Sequence, residues 1–280
     1  MNKLVLRGAV WVASDIHLGE AVPETACAFY DFLDRARRQA DALILCGDIF
    51  DAWIGDDHAL RDPPDWLAAA LDALRATAAD LPLWLVRGNR DFLMGRALAD
   101  ALGARLLDAP VVLDTDAGAI LLAHGDEFCT DDLAYQRFRR IVHTPWIQHV
   151  FLALPLSLRR AIAARARARS RQARRHKTMA IMDVNAAAIA RALREAGCDV
   201  LIHGHTHRPA VHALDLDSRA ARRYVLPDWE FDRDPPPRGG WIEIDATGIR
   251  MRQDIGQSTA DCPMPDEPEP LASGEVDKSP

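Results

Sequence analysis

The sequence predicts an α/β fold built around a locally parallel sheet. Short apolar runs recur along the chain, stretches with helical spacing separate them, and each run breaks off into a group able to hold a metal. The runs are Val10-Trp11-Val12-Ala13, Leu43-Ile44-Leu45-Cys46, Leu83-Trp84-Leu85-Val86, Ile120-Leu121-Leu122-Ala123 and Val200-Leu201-Ile202. They have the length of strands, are too short for helices, and are bounded by turn residues. Strand ends in an open α/β fold converge on one crevice.

The first run leads into Ser14-Asp15-Ile16-His17. Residues 23–40 then read as a helix, with Phe29, Phe32, Leu33 and Ala36 on one face and Pro23 suited to its start. The second run completes a β-α-β unit, whose crossover should be right-handed. It ends in Gly47-Asp48, where glycine lets the backbone turn and the carboxylate stands just past the strand's C-terminal end. Asp62-Pro63-Pro64-Asp65 is a turn, and Asp65 reads as the N-cap of a helix on Leu67, Ala70, Leu71 and Leu74. The third run ends in Arg87-Gly88-Asn89-Arg90-Asp91 and the fourth in His124-Gly125-Asp126. Further on, Asp183 reads as the cap of a helix on Ala186, Ile189, Ala190 and Leu193, with Gly197 just past its end. The fifth run ends in His203-Gly204-His205-Thr206-His207. Tyr224-Val225-Leu226 and Trp241-Ile242-Glu243-Ile244 read as half-exposed antiparallel strands.

Residues 131–182 interrupt this rhythm with no convincing strand. Ala134, Phe138, Ile141 and Val142 make a helical stripe, and an apolar piece from Trp146 to Leu154 lies between Pro145 and Pro155. A basic run from Arg159 to Lys177 follows, including Arg165, Arg167, Arg169, Arg171 and Arg174. The segment reads as a helical insertion, a lid over the strand ends, set within a core of residues 1–130 and 183–252. Residues 253–280 are rich in Pro, Asp, Glu and Ser and read as a disordered tail.

With 280 residues, 49% of them hydrophobic and 27% charged, the chain suits one domain with an insertion. A formal net charge of -7 argues against nucleic-acid binding by bulk electrostatics. Five scattered cysteines without a CxxC read as reduced thiols of a cytosolic protein. The N-terminus enters a strand almost at once, which leaves no room for a signal peptide, and no apolar run is long enough to span a bilayer.

Asp15, His17, Asp48, Asn89, His124, His205 and His207 all follow strands. Taken singly, most of these motifs are ordinary turns; the alternating histidines from His203 to His207 are the sharpest signal. Together they make a mixed imidazole, carboxylate and amide set that suits Mn, Fe or Zn and not an all-oxygen or thiolate site. The set is too large for one ion. A carboxylate shared between two ions about 3.5–4 Å apart is the usual arrangement of a two-metal hydrolase, which lowers the pKa of a water and steadies charge during in-line attack on phosphorus.

The pattern Asp-x-His, Gly-Asp, Gly-Asn-x-Asp, His-Gly and Gly-His-x-His, over residues 11–210, resembles the calcineurin-like metallophosphoesterase superfamily. That resemblance implies a four-layered α/β/β/α sandwich with two metals at the strand ends. One ion would take Asp15, His17, Asp48 and His207, and the other Asp48, Asn89, His124 and His205. Longer stretches are similar to the UDP-2,3-diacylglucosamine diphosphatase family of lipid A biosynthesis. They are Gly47 to Asp57, Gly88 to Phe92, His124 to Asp126 with Cys129 to Asp132 and Tyr135, Ile181 to Asn185, and His203 to Ala210. This implies an enzyme, Mn-dependent, that hydrolyses UDP-2,3-diacylglucosamine at the α-phosphorus to UMP and 2,3-diacylglucosamine 1-phosphate. It also implies a peripheral place on the cytoplasmic face of the inner membrane and no obligate protein partner. By the same resemblance Asp48, Asn89 and His124 would be catalytic. Asn89, Arg90, Asp132, Tyr135, Ser170, Arg174, Lys177 and His205 would face substrate. Arg90 stands where many superfamily members carry a His that protonates a poor leaving group. A phosphate monoester leaves well without a general acid, so Arg90 reads as a phosphate clamp through its planar fork.

The apolar part of the insertion would in half be core, and the rest could line a cleft for two acyl chains, at about 0.8 kcal/mol per buried methylene. The basic run is either a solvated helix face or an attraction to an anionic leaflet. Two alternatives stay open: another two-metal phosphoesterase, such as a nucleotide hydrolase, phosphodiesterase or nuclease, and a non-catalytic scaffold. The net charge and greasy insertion oppose a nuclease. The presence of all seven ligands opposes a scaffold.

Overall fold

The computed structural model describes residues 1–176, 183–216, 219–233 and 236–253. The apolar runs form strands of two stacked six-stranded sheets. In the first, β2 (Val10–Ala13), β3 (Ala42–Cys46), β4 (Leu83–Val86) and β5 (Arg105–Leu107) are parallel neighbours. On its other side β11 (Trp241–Asp245) pairs antiparallel with β2, and β12 (Gly248–Arg252) pairs antiparallel with β11. The second runs in the order β1 (Asn2–Val5), β6 (Val111–Thr115), β7 (Gly118–Ala123), β8 (Val200–His203), β10 (Arg219–Val225) and β9 (Ala210–Leu216).

Alternation along each strand divides its side chains between two cores. Val10, Val12, Ile44 and Val86 meet Val111, Leu113, Ile120, Leu122 and Ile202 between the sheets. Trp11, Leu43 and Leu45 face outward onto α1 (Pro23–Gln39) and α3 (Asp65–Asp80), through Phe29, Phe32, Leu33, Leu67, Leu71 and Leu74. Leu121, Ala123 and Leu201 face outward on the other side, onto Ile189 and Leu193 of α8 (Ala186–Ala196). This is the α/β/β/α sandwich. The smaller helix α4 (Arg96–Leu102) packs on α3, and α2 (Asp56–Arg61) packs on α4.

Three local expectations change. Asp65 is the first residue of α3, with Pro64 at the N-cap and no side-chain capping bond, so its carboxylate supports the helix only by charge at the N-terminal turn. Asn185, not Asp183, caps α8: its Oδ1 accepts from the Ala188 N–H at 3.0 Å. Tyr224, Val225 and Leu226 are buried rather than half-exposed, because β10 is an interior strand, parallel to β8 and antiparallel to β9. Ile242 and Ile244 are likewise fully buried between the sheets.

Within the insertion, α5 (Leu133–Val142), α6 (Pro145–Leu152) and α7 (Leu156–His176) are described, and residues 177–182 lie outside the described part. So does the tail from residue 254 onward. The insertion is tied to the core by Arg159, only 3% exposed. Its guanidinium donates to the Ile54 carbonyl at 2.7 Å and embraces Asp57, bonding Oδ1 at 2.7 Å. Gly55, at φ 126°, is required beside it, since a Cβ there would stand 2.5 Å from Arg159 Nη1. One member of the basic run is therefore a buried anchor rather than a solvated charge. The apolar face is only partly core: Leu133, Trp146 and Val150 are 74%, 67% and 58% exposed. Cys46 and Cys198 are free and buried and Cys129 is buried, whereas Cys27 is disulfide-bonded, which departs from the expectation of five reduced thiols.

Candidate metal centre

The seven expected ligands come from two sheets rather than one. Asp15 and His17 follow β2, Asp48 follows β3 and Asn89 follows β4, while His124 follows β7 and His205 and His207 follow β8. The parallel strands bring all of these loops to one end of the sandwich. Five of the residues, Asp15, His17, Asp48, His205 and His207, have φ between 53° and 68°. That left-handed region is uncommon for residues with a Cβ, and such strain persists only where surrounding structure holds it, typically at functional sites.

Asp48 lies between two donor groups. Its Oδ2 is 3.9 Å from His17 Nδ1, and its Oδ1 is 3.5 Å from His124 Nε2. On the first side His207 Nε2 stands 3.3 Å from Asp15 Oδ1 and 3.2 Å from His17 Nε2. On the second, Asn89 Oδ1 stands 3.2 Å from His124 Nε2 and 2.6 Å from His205 Nδ1. The Cys46 carbonyl, 2.9 Å away, can only accept, so it fixes the proton on His124 Nδ1 and turns Nε2 inward. Close packing sets these positions: a Cβ on Gly88 would meet Asp48 Oδ1 at 2.3 Å, and one on Gly204 would meet Asp15 Oδ2 at 2.3 Å.

The electrostatics fit divalent cations. Asp15 Oδ1 and His17 Nδ1 are buried without hydrogen-bond partners. Burial alone would lower the His124 pKa, yet Asp48, Asp15 and Asp126 push it up to about 10. Burial likewise opposes protonation of His207, but the adjoining Asp15 and Asp228 carboxylates bring it up to about 9. His205, buried and facing the His124 charge, falls to about 3. Protons recruited by clustered carboxylates are what bound cations would displace.

Sequence reasoning missed two residues. Asp228, 2% exposed in the loop after β10, lies 3.3 Å from His207 Nδ1 and orients that ring. No motif marks it, because it approaches from a loop distant in sequence. Asp91 was visible within Gly-Asn-x-Asp but without a role. Its buried carboxylate accepts from the N–H groups of Gly88, Asp48 and Ile49 at 2.7, 3.2 and 2.7 Å. It thereby locks the Asp48 turn to the Asn89 turn.

The calcineurin-like phosphoesterase model matches residues 8–209, the span that carries all seven side chains. This chain is a calcineurin-like phosphoesterase. Within that group it belongs to the family of the UDP-2,3-diacylglucosamine hydrolases. The protein of that name from Bordetella parapertussis is 58% identical over 250 residues, 89% of this chain and 96% of its own. Those of Serratia proteamaculans and an Escherichia coli strain are 44% and 42% identical, covering 86% and 85% of this chain and 96% and 95% of theirs.

The residues that this phosphoesterase was expected to turn toward substrate are distributed unevenly. Arg90 is beside the donor set, with Nε 3.4 Å from Asp48 Oδ2 and Nη1 on the Asp51 carboxylate. Its fork is thus engaged by carboxylates here. Asp51 also holds Arg167 of α7, whose Nη1 donates to the Asp51 carbonyl at 2.6 Å. The Tyr135 ring lies tilted against His205 with centroids 6.0 Å apart, and its hydroxyl donates to Asp126 Oδ2 at 2.6 Å. Asp132 caps α5 by accepting from the Tyr135 N–H at 3.0 Å. Ser170 is exposed on α7. The Arg174 side chain and all of Lys177 lie outside the described part.

Proposed function

We propose that this phosphoesterase hydrolyses UDP-2,3-diacylglucosamine, with water attacking the α-phosphorus to give UMP and 2,3-diacylglucosamine 1-phosphate. The observation that supports this reading is a pair of adjoining clusters able to hold metal, Asp15, His17 and His207 with Asp15, Asp48 and His124, close to helices with exposed apolar side chains. The chain's 58% identity to a UDP-2,3-diacylglucosamine hydrolase supports the substrate.

Two Mn(II) ions are assigned, one to Asp15, His17, Asp48 and His207 and one to Asp48, Asn89, His124 and His205. When bound, such a pair supplies a nucleophile at neutral pH and neutralises charge on the phosphoryl oxygens. The chain's own residues do the rest. Asp48, Asn89 and His124 form the catalytic group, with Asp48 joining the two halves. His205 and Asn89 face the phosphoryl group. Arg90 exchanges its Asp51 carboxylate for a phosphate and orients the diphosphate, and no general acid is needed for the departing monoester. Asp132, Tyr135, Ser170, Arg174 and Lys177 approach sugar, phosphate or acyl groups from the insertion, and its apolar side chains take the acyl chains.

Among the described residues no helix is long and apolar enough to cross a membrane. Exposed Leu133, Trp146 and Val150, with exposed Arg165 and Arg169, support peripheral attachment to the cytoplasmic face of the inner membrane. Hydrolysis in oxygen-18 water, with Mn(II) and detergent, tests the reaction. Label in UMP, with slow turnover of unacylated UDP-N-acetylglucosamine, is the expected result. Fast cleavage of bis-p-nitrophenyl phosphate with no turnover of the lipid would discard this substrate and leave a different two-metal phosphoesterase.

A further inference from the structure

A cavity lies beside the His205–His207 loop, on the α8 side of the sheet that contains β8 and β10. Its volume is about 230 Å³, and Thr206, Arg208, His212, Arg223 and Asp183 are among its lining residues. On β10, Ala221 packs in the outer core with α8, whereas Tyr224 belongs to the core between the sheets. Strand alternation therefore points Arg223 outward, on the α8 side. Arg223 is only 8% exposed.

A guanidinium so deep normally has its N–H groups matched. Here Nη1 stands 3.4 Å from Asp183 Oδ1, while Nε is buried with no hydrogen-bond partner. Arg208 Nη1 is 3.4 Å from the other oxygen of the same carboxylate. Both separations exceed the roughly 2.7–2.9 Å of a strong charge-assisted bond. Two guanidiniums thus share one carboxylate loosely, which leaves excess positive charge. Thr206 Oγ1 is also buried and unpartnered, as is Nε2 of His203, which sits opposite Val225 on the neighbouring strand.

We propose that this cavity binds a tetrahedral oxyanion of the phosphate class, held by Arg223 and Arg208 with the Thr206 hydroxyl. The chemistry selects the class. Arginine forks only donate, and they match an acceptor with several oxygens in one plane or tetrahedron. A cation is repelled by the two guanidiniums, and an apolar ligand would leave the buried donors unmatched. A water's share of liquid volume is about 30 Å³, so the space accepts a group well beyond one water. The oxyanion takes over from Asp183 as the partner of both arginines. Asp183 is where the chain returns from the insertion, and Thr206 lies between His205 and His207, so the bound anion joins the insertion's return point to the candidate metal loop.

The same chemistry could come from free inorganic phosphate or from the phosphate of a nucleotide. The second source rests on the proposed reaction, whose product is UMP. Crystals of the metal-loaded protein soaked in selenate should show anomalous selenium density between Arg208 and Arg223. In solution, inorganic phosphate and UMP are titrated separately against thermal unfolding of the wild type, Arg208→Gln, Arg223→Lys and, as a comparator for the metal centre, Arg90→Gln. The expected result is a binding component weakened at least tenfold in Arg208→Gln and Arg223→Lys and retained in Arg90→Gln. Arg208 lies at the rim, so its variant should fold even if Arg223→Lys does not. Weakening for phosphate alone identifies the free ion, and stronger weakening for UMP identifies the nucleotide. No selenium in the cavity, or stabilisation by both ligands unchanged in Arg208→Gln, overturns the site. The density does not depend on which lipid is hydrolysed, so it stands or falls separately from the product assay.

Discussion

Asp48 illustrates how much one turn carries. Its carboxylate faces both donor sets, its N–H is held by Asp91, and Gly88 leaves it room. Asp48→Ala should lose most bound metal and nearly all turnover, measured by metal analysis and by product formation. Asp91→Ala should act through the scaffold, because three buried N–H groups lose their acceptor at about 1–3 kcal/mol each. Urea unfolding is expected to reveal a loss of about 3 kcal/mol or more, since the donors act together. A change under about 1 kcal/mol would mean that other groups satisfy those donors. Asp228→Asn should keep the fold but reduce metal affinity or activity about 10–100-fold, the range for groups that orient a metal ligand. Unaltered metal affinity and turnover would show that Asp228 does not orient His207.

At the scale of elements, the insertion depends on a small number of anchors. Arg159 joins α7 to the loop before α2, and Asp51 lies against both Arg90 and Arg167. Arg159→Met should destabilise the chain by about 1–3 kcal/mol, the range for bonds to a charged donor after discounting the part-exposed Asp57 side. Amide exchange in α7 should accelerate. The Arg159 hydrogen bond holds the Asp57 carboxyl below its ordinary pKa. The sign then follows from linkage. A depressed acid stabilises fully above its unfolded value of about 3.9, and that contribution fades as pH falls through the folded value. The stability gap between wild type and Arg159→Met should therefore narrow below about pH 4. A gap independent of pH would assign the whole effect to the Ile54 carbonyl and to packing. Element reading from sequence did well where periodicity was strong, as in α1, α3 and α8. It erred at caps and at β10, because a cap depends on one backbone angle and burial depends on which strands happen to flank the run.

At the scale of the molecule, the exposed apolar side chains of the insertion and the exposed charges of Arg165 and Arg169 lie within one segment. Replacing Arg165 and Arg169 with Gln should weaken liposome association at low salt and have little effect at high salt, given a Debye length of about 10 Å at 0.1 M. Sedimentation with anionic vesicles checks this, and equal binding at every salt concentration would mean that the apolar contacts alone hold the surface.

The sequence by itself determined the parallel-strand rhythm, the position of the seven expected donor residues just after strands, and the helical character of the stretch between β7 and β8. These are local properties: a run's length, a glycine beside a carboxylate, a pair of alternating histidines. The tertiary structure alone decided that the donors belong to two sheets meeting at one end, that Asp228 supports His207, and that Arg159 is buried while its neighbours Leu158 and Arg160 are exposed. Those facts depend on contacts between residues far apart in the chain, and such contacts leave no periodic trace in sequence. The same holds for the cavity at Arg223, whose excess of donors appears only when β8, β10 and the insertion's return point are brought together.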